Sequence, residues 1–444
     1  MLVIQFLLRL ARIMVLIAMV GIFLSLFTVA SAAEILDVES CVRIALQENH
    51  GLKADQLEIL AKHEDVRGLR GLAKPQVDFK LAYQWQNKPT GLIPSHVAGV
   101  PAVYDDQMGY YTLNMKQVIY DAGKTHSLIR SGEIAVEGQK QESKAHSLRV
   151  VGSVIKSFYK VIQLQNTIEA QHQSVNALQK LYDDMQMKLD LGRIAEVDLL
   201  QVGAQLASEQ EKTARYKGEL DQQTAILLSM MGYGMEHKVQ LSGNLKDYEL
   251  QLKPEQKSLS RNPALQKTVH RISQTDELLK AAKADSNPKV ILNGQYDVKR
   301  LGKAGNPQDE MWLVGLQVSL PVFDGGIISS NINKAQLQVA EAKEFYAEQH
   351  SELEASAWSA QSSLETANAR VEAAVKATIS AAEAYRIVEL SYQVGKRSMT
   401  DVLVAQAAMT NAQIIYYQAM DERINATVSL ALAYGEMPYT IRER

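Results

Sequence analysis

Cysteine occurs once in the 444 residues, at Cys41, so no disulfide can close within the chain. Aromatic residues are only 6%, while Ala, Gln, Leu, Glu and Lys fill long stretches, which favours helix over an all-β body. The formal charge of −3 offers no basic excess for nucleic acid, and none is expected as a partner. Proline is missing from residues 124–190, and residues 327–393 lack both proline and glycine. Each of these runs would form a helix roughly 100 Å long at 1.5 Å per residue, far beyond an ordinary globular helix. Enzyme signatures are missing too. No Gly-x-Ser-x-Gly occurs, and the nine histidines show no metal-like pairing on a helix face. Ala122-Gly123-Lys124-Thr125 resembles the end of a phosphate-binding loop, but the glycine that motif needs falls at Val118. Helix capping by Asp121 after a tight strand exit explains the stretch instead, and Asp324 is its counterpart at Gly325-Gly326. No metal or cofactor is expected.

The longest apolar run lies at the start. Arg9 and Arg12 precede a nearly pure apolar segment from Ile13 to Val29, followed by Ala30-Ser31-Ala32-Ala33. Residues 1–33 therefore read as a secretory signal cut after Ala32 or Ala33, with an uncleaved membrane anchor as the alternative. Cys41 stands away from that cut, which argues against a lipid-bearing end and for a small buried apolar side chain.

One layout then appears twice. Gln117-Val118-Ile119-Tyr120-Asp121-Ala122-Gly123 matches Leu320-Pro321-Val322-Phe323-Asp324-Gly325-Gly326, 203 positions later. Leu191-Gly192-Arg193 with Asp198 matches Val394-Gly395-Lys396 with Asp401 at the same offset, whereas Asn49 pairs with Asn262 and Lys74-Pro75 with Asn287-Pro288 at 213. The chain divides into a first repeat at 34–231, a linker at 232–261, a second repeat at 262–437 and a short tail at 438–444.

Within each repeat a helical pattern leads to a pair of strands, at 76–119 and 289–322. Val77, Phe79, Leu81, Tyr83 and Trp85 alternate with Asp78, Lys80, Ala82, Gln84 and Gln86, and Trp312, Val314, Leu316, Val318 and Leu320 with Leu313, Gly315, Gln317 and Ser319. After each pair comes a 67-residue helix, a turn at Gly192 or Gly395, and a returning helix of 37 residues, from about Ala195 to Met231 or Ser398 to Tyr434. The leading pattern from Asp37 to Ala73 also has 37 residues, so two short helices stacked end to end would match one long helix. The linker then falls near mid-height of the rod.

Strands of about ten residues with one apolar face and aromatic ends have the character of a membrane β-barrel. Four of them leave two open edges, which lipid does not tolerate, so other copies must close the sheet. Two copies give 8 strands and a filled lumen, while three give 12 and space for passage. A secreted or membrane-anchored coiled-coil interaction protein without a pore is the competing reading; it leaves Phe79, Leu81, Tyr83 and Trp85 on an unprotected face.

The paired strand–helix junctions and paired turns, taken in register, resemble the TolC-type outer-membrane efflux and secretion channels over essentially the whole mature chain. The resemblance implies an α+β membrane protein in the outer membrane of a Gram-negative bacterium, with most of its mass in the periplasm. It implies a homotrimer whose 12-stranded β-barrel continues into a long α-helical coiled-coil barrel. It further implies a role as exit duct of a tripartite efflux pump or type I secretion system, with a periplasmic adaptor protein and an inner-membrane transporter of RND or ABC type. In that family a tyrosine and an arginine near the second turn hold an aspartate after the first, and here Tyr392, Arg397 and Asp198 fall at those positions. Asp401 matches the first of two ring-forming aspartates; the second position holds Val404, implying one acidic ring and an apolar collar. Leu191, Gly192, Arg193, Val394, Gly395 and Lys396 fall where the family meets its adaptor.

The loop between Lys88 and Gly109 is ten residues longer than the duplication requires, and barrels of this kind turn longer loops outward. A tag inserted at Ser95 is expected to bind antibody on intact cells; labelling only after the outer membrane is broken would reverse the topology.

Overall fold

The computed structural model describes residues 34–85, 87, 107–234, 236–237, 239–250, 258–301 and 309–439. The leader at 1–33, the loop around Ser95 and the last residues of the tail lie outside them. The elements are β1 (Glu34–Leu36), α1 (Val38–Glu48), α2 (His50–Gly71), β2 (Gln76–Trp85), β3 (Gln107–Tyr120), α3 (Lys124–Asp190) and α4 (Glu196–Met230). There follow β4 (Val239–Leu241), a 3-10 turn (Leu259–Arg261), α5 (Pro263–Ala284), β5 (Lys289–Leu301), β6 (Asp309–Ser319), α6 (Ile327–Gln393) and α7 (Met399–Tyr434).

Four strands form one antiparallel sheet in the order β2-β3-β5-β6. Phe79, Leu113, Tyr296 and Trp312 make one row across it. All four are open in the single chain, Phe79 at 63% and Trp312 at 76%. The opposite face is polar and knitted by side chains: Asn114 donates to Asp78 (3.0 Å), Asn293 to Gln317 (3.2 Å) and Gln295 to Asp297 (2.6 Å). Period-two alternation thus yields one apolar and one wet face across all four strands.

Helices continue the sheet in the same order. Near the strands they lie α2-α3-α5-α6, and at the far end α4-α3-α7-α6. The long helices α3 and α6 each have 67 residues and run past two shorter partners. The join between those partners is made by asparagine. Asn49 caps α2 by accepting from Gly51 and Leu52 backbone N–H, while its amide donates to Met230 O at 2.8 Å, at the end of α4. Asn262 repeats this at the start of α5, accepting from Ala264 and donating to Ala433 O at 2.9 Å, at the end of α7. Gly232 and Gly435 end the returning helices at φ 74° and 73°. A Cβ there would approach Glu48 O or the Asn262 Cα to 2.7 Å, so both conformation and space require glycine.

The leading segment expected as one helix from Asp37 to Ala73 is therefore two, α1 and α2, broken at Asn49. The asparagine side chain there serves both helix ends, which a continuous helix would not allow. The linker also carries more than connection: β4 pairs in parallel with β1. That pair covers a core at mid-height, where Cys41, Val151, Ile155, Phe158, Leu227, Met231, Ile424 and Val428 are buried. A second, smaller core of Met185, Leu199, Val202, Met399 and Val402 lies at the far tip.

On α6 the partly or fully covered positions step by three and four residues along its length, a heptad seam built of small residues such as Ala360, Ala367 and Ala374. One extra four-residue step, from Leu353 to Ala357, falls where its partner changes from α5 to α7.

Asp421 is an acid in this interior. It is 6% exposed on α7; Lys160 lies 3.9 Å from one oxygen, and the other has no partner. Burial pushes its carboxyl up to about 6, with Glu422 adding to the rise and Lys160 opposing it. A folded pKa above the unfolded value means that the folded chain holds the proton more tightly. That stabilisation is full below about pH 4 and is lost as pH rises toward 6, on the order of 2–3 kcal/mol.

Asp421→Asn is expected to flatten the fall in melting temperature of the purified protein between pH 4.5 and 6.5; equal slopes for parent and variant would assign that fall to other groups. Asn262→Ala removes a cap and orphans the Ala433 carbonyl, an expected loss of about 2–3 kcal/mol. An unchanged melt would mean that packing alone holds the two stacked helices together.

Candidate functional site

Chemistry-bearing residues gather at the tip, where each long helix turns back. Both turns close identically. Gly192 N–H donates to Leu189 O and Arg193 N–H to Lys188 O; Gly395 donates to Tyr392 O and Lys396 to Ser391 O. This pattern needs a left-handed residue, met by glycine at φ 67° and 73°, with open space around each. Leu191, Gly192, Arg193, Val394, Gly395 and Lys396 are all exposed, Leu191 at 61% and Val394 at 67%. The outermost surface is thus an apolar residue, a glycine and a cation, presented twice.

Asp198 and Asp401 occupy the third position of α4 and α7 respectively, at matching depth. Their surroundings differ because of the residue three places earlier. Ser398 builds a capping box with Asp401. The serine hydroxyl accepts from Asp401 N–H at 3.2 Å, and the carboxylate accepts from Ser398 N–H at 3.0 Å and from its hydroxyl at 2.9 Å. These bonds, with a smaller contribution from the Arg397 charge, hold the Asp401 carboxyl below its usual range. The first turn has Ala195 instead, which cannot cap, so Asp198 is left free of that duty.

Tyr392 packs on the tip core beside Met185, Leu199 and Val402. Burial raises its phenol pKa, and the charge of Asp198 raises it further. Arg397 is exposed, and among the described residues no ion pair joins it to Asp198. Its charge acts on Asp401 instead. Val404 is 64% exposed, one helical turn beyond Asp401. The structure thus brings Tyr392 to Asp198 and Arg397 to Asp401, but not Arg397 to Asp198. Thr400 also donates to Gln201 at 3.3 Å, tying the returning helices together at the tip. The sequence reading missed both this bond and the capping box. Ser398-x-x-Asp401 ahead of an apolar-periodic run was the available signal for the latter.

The strand–helix junctions lie at the opposite end of the long helices. Asp121 accepts from Thr125 backbone N–H (2.8 Å) and from its hydroxyl, and Asp324 accepts from Ile328 N–H (2.6 Å) and Gly326 N–H (2.9 Å). Gly123, Gly325 and Gly326 are left-handed, and Ala122 at φ 54° stands where the second repeat has glycine. Lys124 is engaged structurally. Its ammonium bonds both oxygens of Asp285 at 2.8 Å, and Lys289 bonds the same carboxylate at 2.7 Å. Burial opposes ionisation of Asp285, but the two ammonium groups prevail and hold its carboxyl below the usual range. This cluster joins α3, α5 and β5 just below the sheet.

Comparison with known proteins places this geometry. The profile of the family described as outer membrane efflux protein matches residues 41–233 and 255–436. The chain is 21% identical over 402 residues to the outer membrane efflux protein BepC of Brucella suis, covering 88% of this chain and 84% of that one. It is 22% identical over 418 residues to the outer membrane protein TolC of Escherichia coli, covering 89% and 81%. The fold matches the CmeC outer membrane channel of Campylobacter jejuni with a TM-score of 0.80 at 20% identity, over 90% of this chain and 85% of that one.

Proposed function

The chain belongs to the outer membrane efflux protein family, and we propose that three copies of it form the exit duct of a tripartite efflux pump or type I secretion system. The observation that carries this reading is the sheet. Its apolar face is open to the surroundings, and the outer edges of strands β2 and β6 have no partner among the described residues. Membrane lipid suits the apolar face, and pairing of β6 with β2 of another copy removes both edges. Three copies give 12 strands, enough to leave a lumen lined by the polar face. The helices then extend that lumen roughly 100 Å from the membrane. Trp358 supports incompleteness of the lone chain: it sits mid-way along α6 and is 76% exposed.

At the tip, three copies of Leu191-Gly192-Arg193 and Val394-Gly395-Lys396 would offer six similar knobs to a periplasmic adaptor, which in turn engages an inner-membrane transporter of RND or ABC type. The mouth they surround is the proposed gate. Tyr392 lies within range of the Asp198 charge in each chain, and Arg397 is the exposed cation that would complete a latch of both on Asp198 when the tips converge. Asp401 supplies one acidic ring, and Val404 an apolar collar one turn further. Rings of carboxylate favour cations.

Exposed pairs of this kind contribute about 0–1 kcal/mol each, so their loss should loosen the mouth and leave the assembly intact. Arg397→Ala with Tyr392→Phe is expected to raise single-channel conductance in planar bilayers at unchanged trimer content. Asp401→Asn should separately weaken cation preference. Parental conductance in the double variant would reduce these residues to solvated helix ends.

A further inference from the structure

Below the sheet, α2, α3 and α5 border an open cavity of about 630 Å³ with a largely cationic lining. α2 brings His63, Arg67 and Arg70, α3 brings Arg130, and α5 brings His270. The acids among the lining residues are Glu133 and Glu137. Arg70 and Arg130 converge on one carboxylate, donating to the two oxygens of Glu133 at 2.8 and 3.4 Å. One negative charge thus stands between two positive ones. A guanidinium has five N–H donors, and each of these spends one nitrogen on Glu133, so both keep donors for a further anion.

The cavity lies on the side of α3 that carries the mid-height layer. Arg130 and Glu137 precede Phe158 by 28 and 21 residues, whole multiples of seven, so the three share one side of the helix. Phe158 packs under the segment that follows β4, where a Cβ on Gly243 would come within 3.0 Å of its ring. The layer built on β1 and β4 has no room inside an open duct, so this side is the outer one. Its height is set by the strand–helix junctions. Tyr120 and its counterpart Phe323 are exposed there at 54% and 91%, beside Val322 at 91%. Such a collar is how a membrane barrel meets the water boundary. Arg70 is one residue from the end of α2, and Arg130 stands roughly 9 Å below the start of α3.

We infer that this cavity binds the phosphate of an anionic phospholipid from the leaflet that faces the periplasm, with Arg70 and Arg130 as its clamp. This rests on the duct reading above, which sets where the membrane ends. The interfacial zone of a leaflet is about 5–7 Å deep, and long arginine side chains reach up to it from just below. A lipid whose acyl chains lie on the apolar face of the sheet holds its phosphate at this level, at a local concentration that no free anion matches. The guanidinium fork meets two phosphate oxygens at once, which a lysine cannot do. His63 and His270 lie further from the sheet along their helices, where their ring nitrogens can meet the polar part of the headgroup beyond the phosphate.

The test inserts the full chain into vesicles of phosphatidylcholine with and without phosphatidylglycerol, extracts it in mild detergent and counts retained phosphatidylglycerol by native mass measurement. Arg70→Gln with Arg130→Gln is expected to retain about tenfold less than the parent. Glu133→Gln, which removes the competing carboxylate, should retain more, opposite to the effect of a merely loosened helix pair. Arg215→Gln, on exposed surface of α4 away from the cavity, should match the parent. Equal retention by parent and double variant overturns the site. So does an equal loss in Arg215→Gln, or less lipid on Glu133→Gln. Displacement of the bound lipid by millimolar inorganic phosphate would assign the cavity to a soluble anion and overturn the lipid. In each of these cases the duct reading stands. A parent that inserts into neither bilayer overturns the duct reading instead, and the membrane level of the site with it.

Discussion

A helix of 67 residues can be covered along its length only by something equally long, and in each repeat that partner is made from two helices that an asparagine joins end to end. Asn49 and Asn262 each satisfy an N-terminal cap and a C-terminal carbonyl of the helix below. Helix ends leave four backbone groups unsatisfied, and in a stack both sets meet in a semi-buried joint where water is a poor substitute. The joint fixes where the partner changes, and so fixes the height of the main core, the stutter in α6 and the place where β1 and β4 close over the chain's middle. The strands at one end and the turns at the other take their spacing from it.

Much of this architecture is legible in the sequence because it rests on period and punctuation. The bounds of α3 and α6 follow from missing proline and from Gly192 and Gly395, and the two faces of the sheet follow from alternation in Val77–Trp85 and Trp312–Val318. The break at Asn49 was not legible: an asparagine inside a helical pattern costs little by propensity, and its partner Met230 is 181 residues away. The three-residue pairing of β1 with β4 is too short for any periodic signal. At the tip, position alone made Asp198 and Asp401 look equivalent. Ser398 against Ala195 separates them, one aspartate spent on its own helix and the other free to meet Tyr392.

The repeats share a layout but not an environment. On α3, Ile155 is fully buried by its own chain, whereas its counterpart Trp358 on α6 is 76% exposed. A chain that uses one unit twice has an inner seam between its halves and an outer seam that the single chain leaves open. The inner seam has bulk and charge, with Phe158, Lys156, Lys160 and Asp421. The open side of α6 carries serine and alanine at Ala355, Ser359 and Ser363, with Trp358 among them. Small residues let a neighbouring helix approach closely, and a lone exposed tryptophan among them supplies apolar area without a wide apolar strip.

The distribution of burial along the rod also sets where it can move. The mid-height core is broad, and the tip core consists of five buried residues. Between them the packed face of α3 becomes mixed: among the buried Leu164, Ile168 and Leu178 lie Gln163, Thr167, Gln171 and Ser174, also buried. Their partners there include Glu209, itself 3% exposed and bonded by Lys212 and Gln205 at 2.8 and 2.9 Å, and Gln406, which donates to the Ser174 carbonyl. Apolar burial stabilises in proportion to area, while exchanging hydrogen-bond partners costs little net. Helices sliding across a polar zone can trade one set of bonds for another, whereas sliding across the mid-height core would open cavities. The tip is therefore joined to the rest of the rod by less apolar burial and more exchangeable hydrogen bonding than the mid-height core. It is the end that local rearrangement disturbs least expensively.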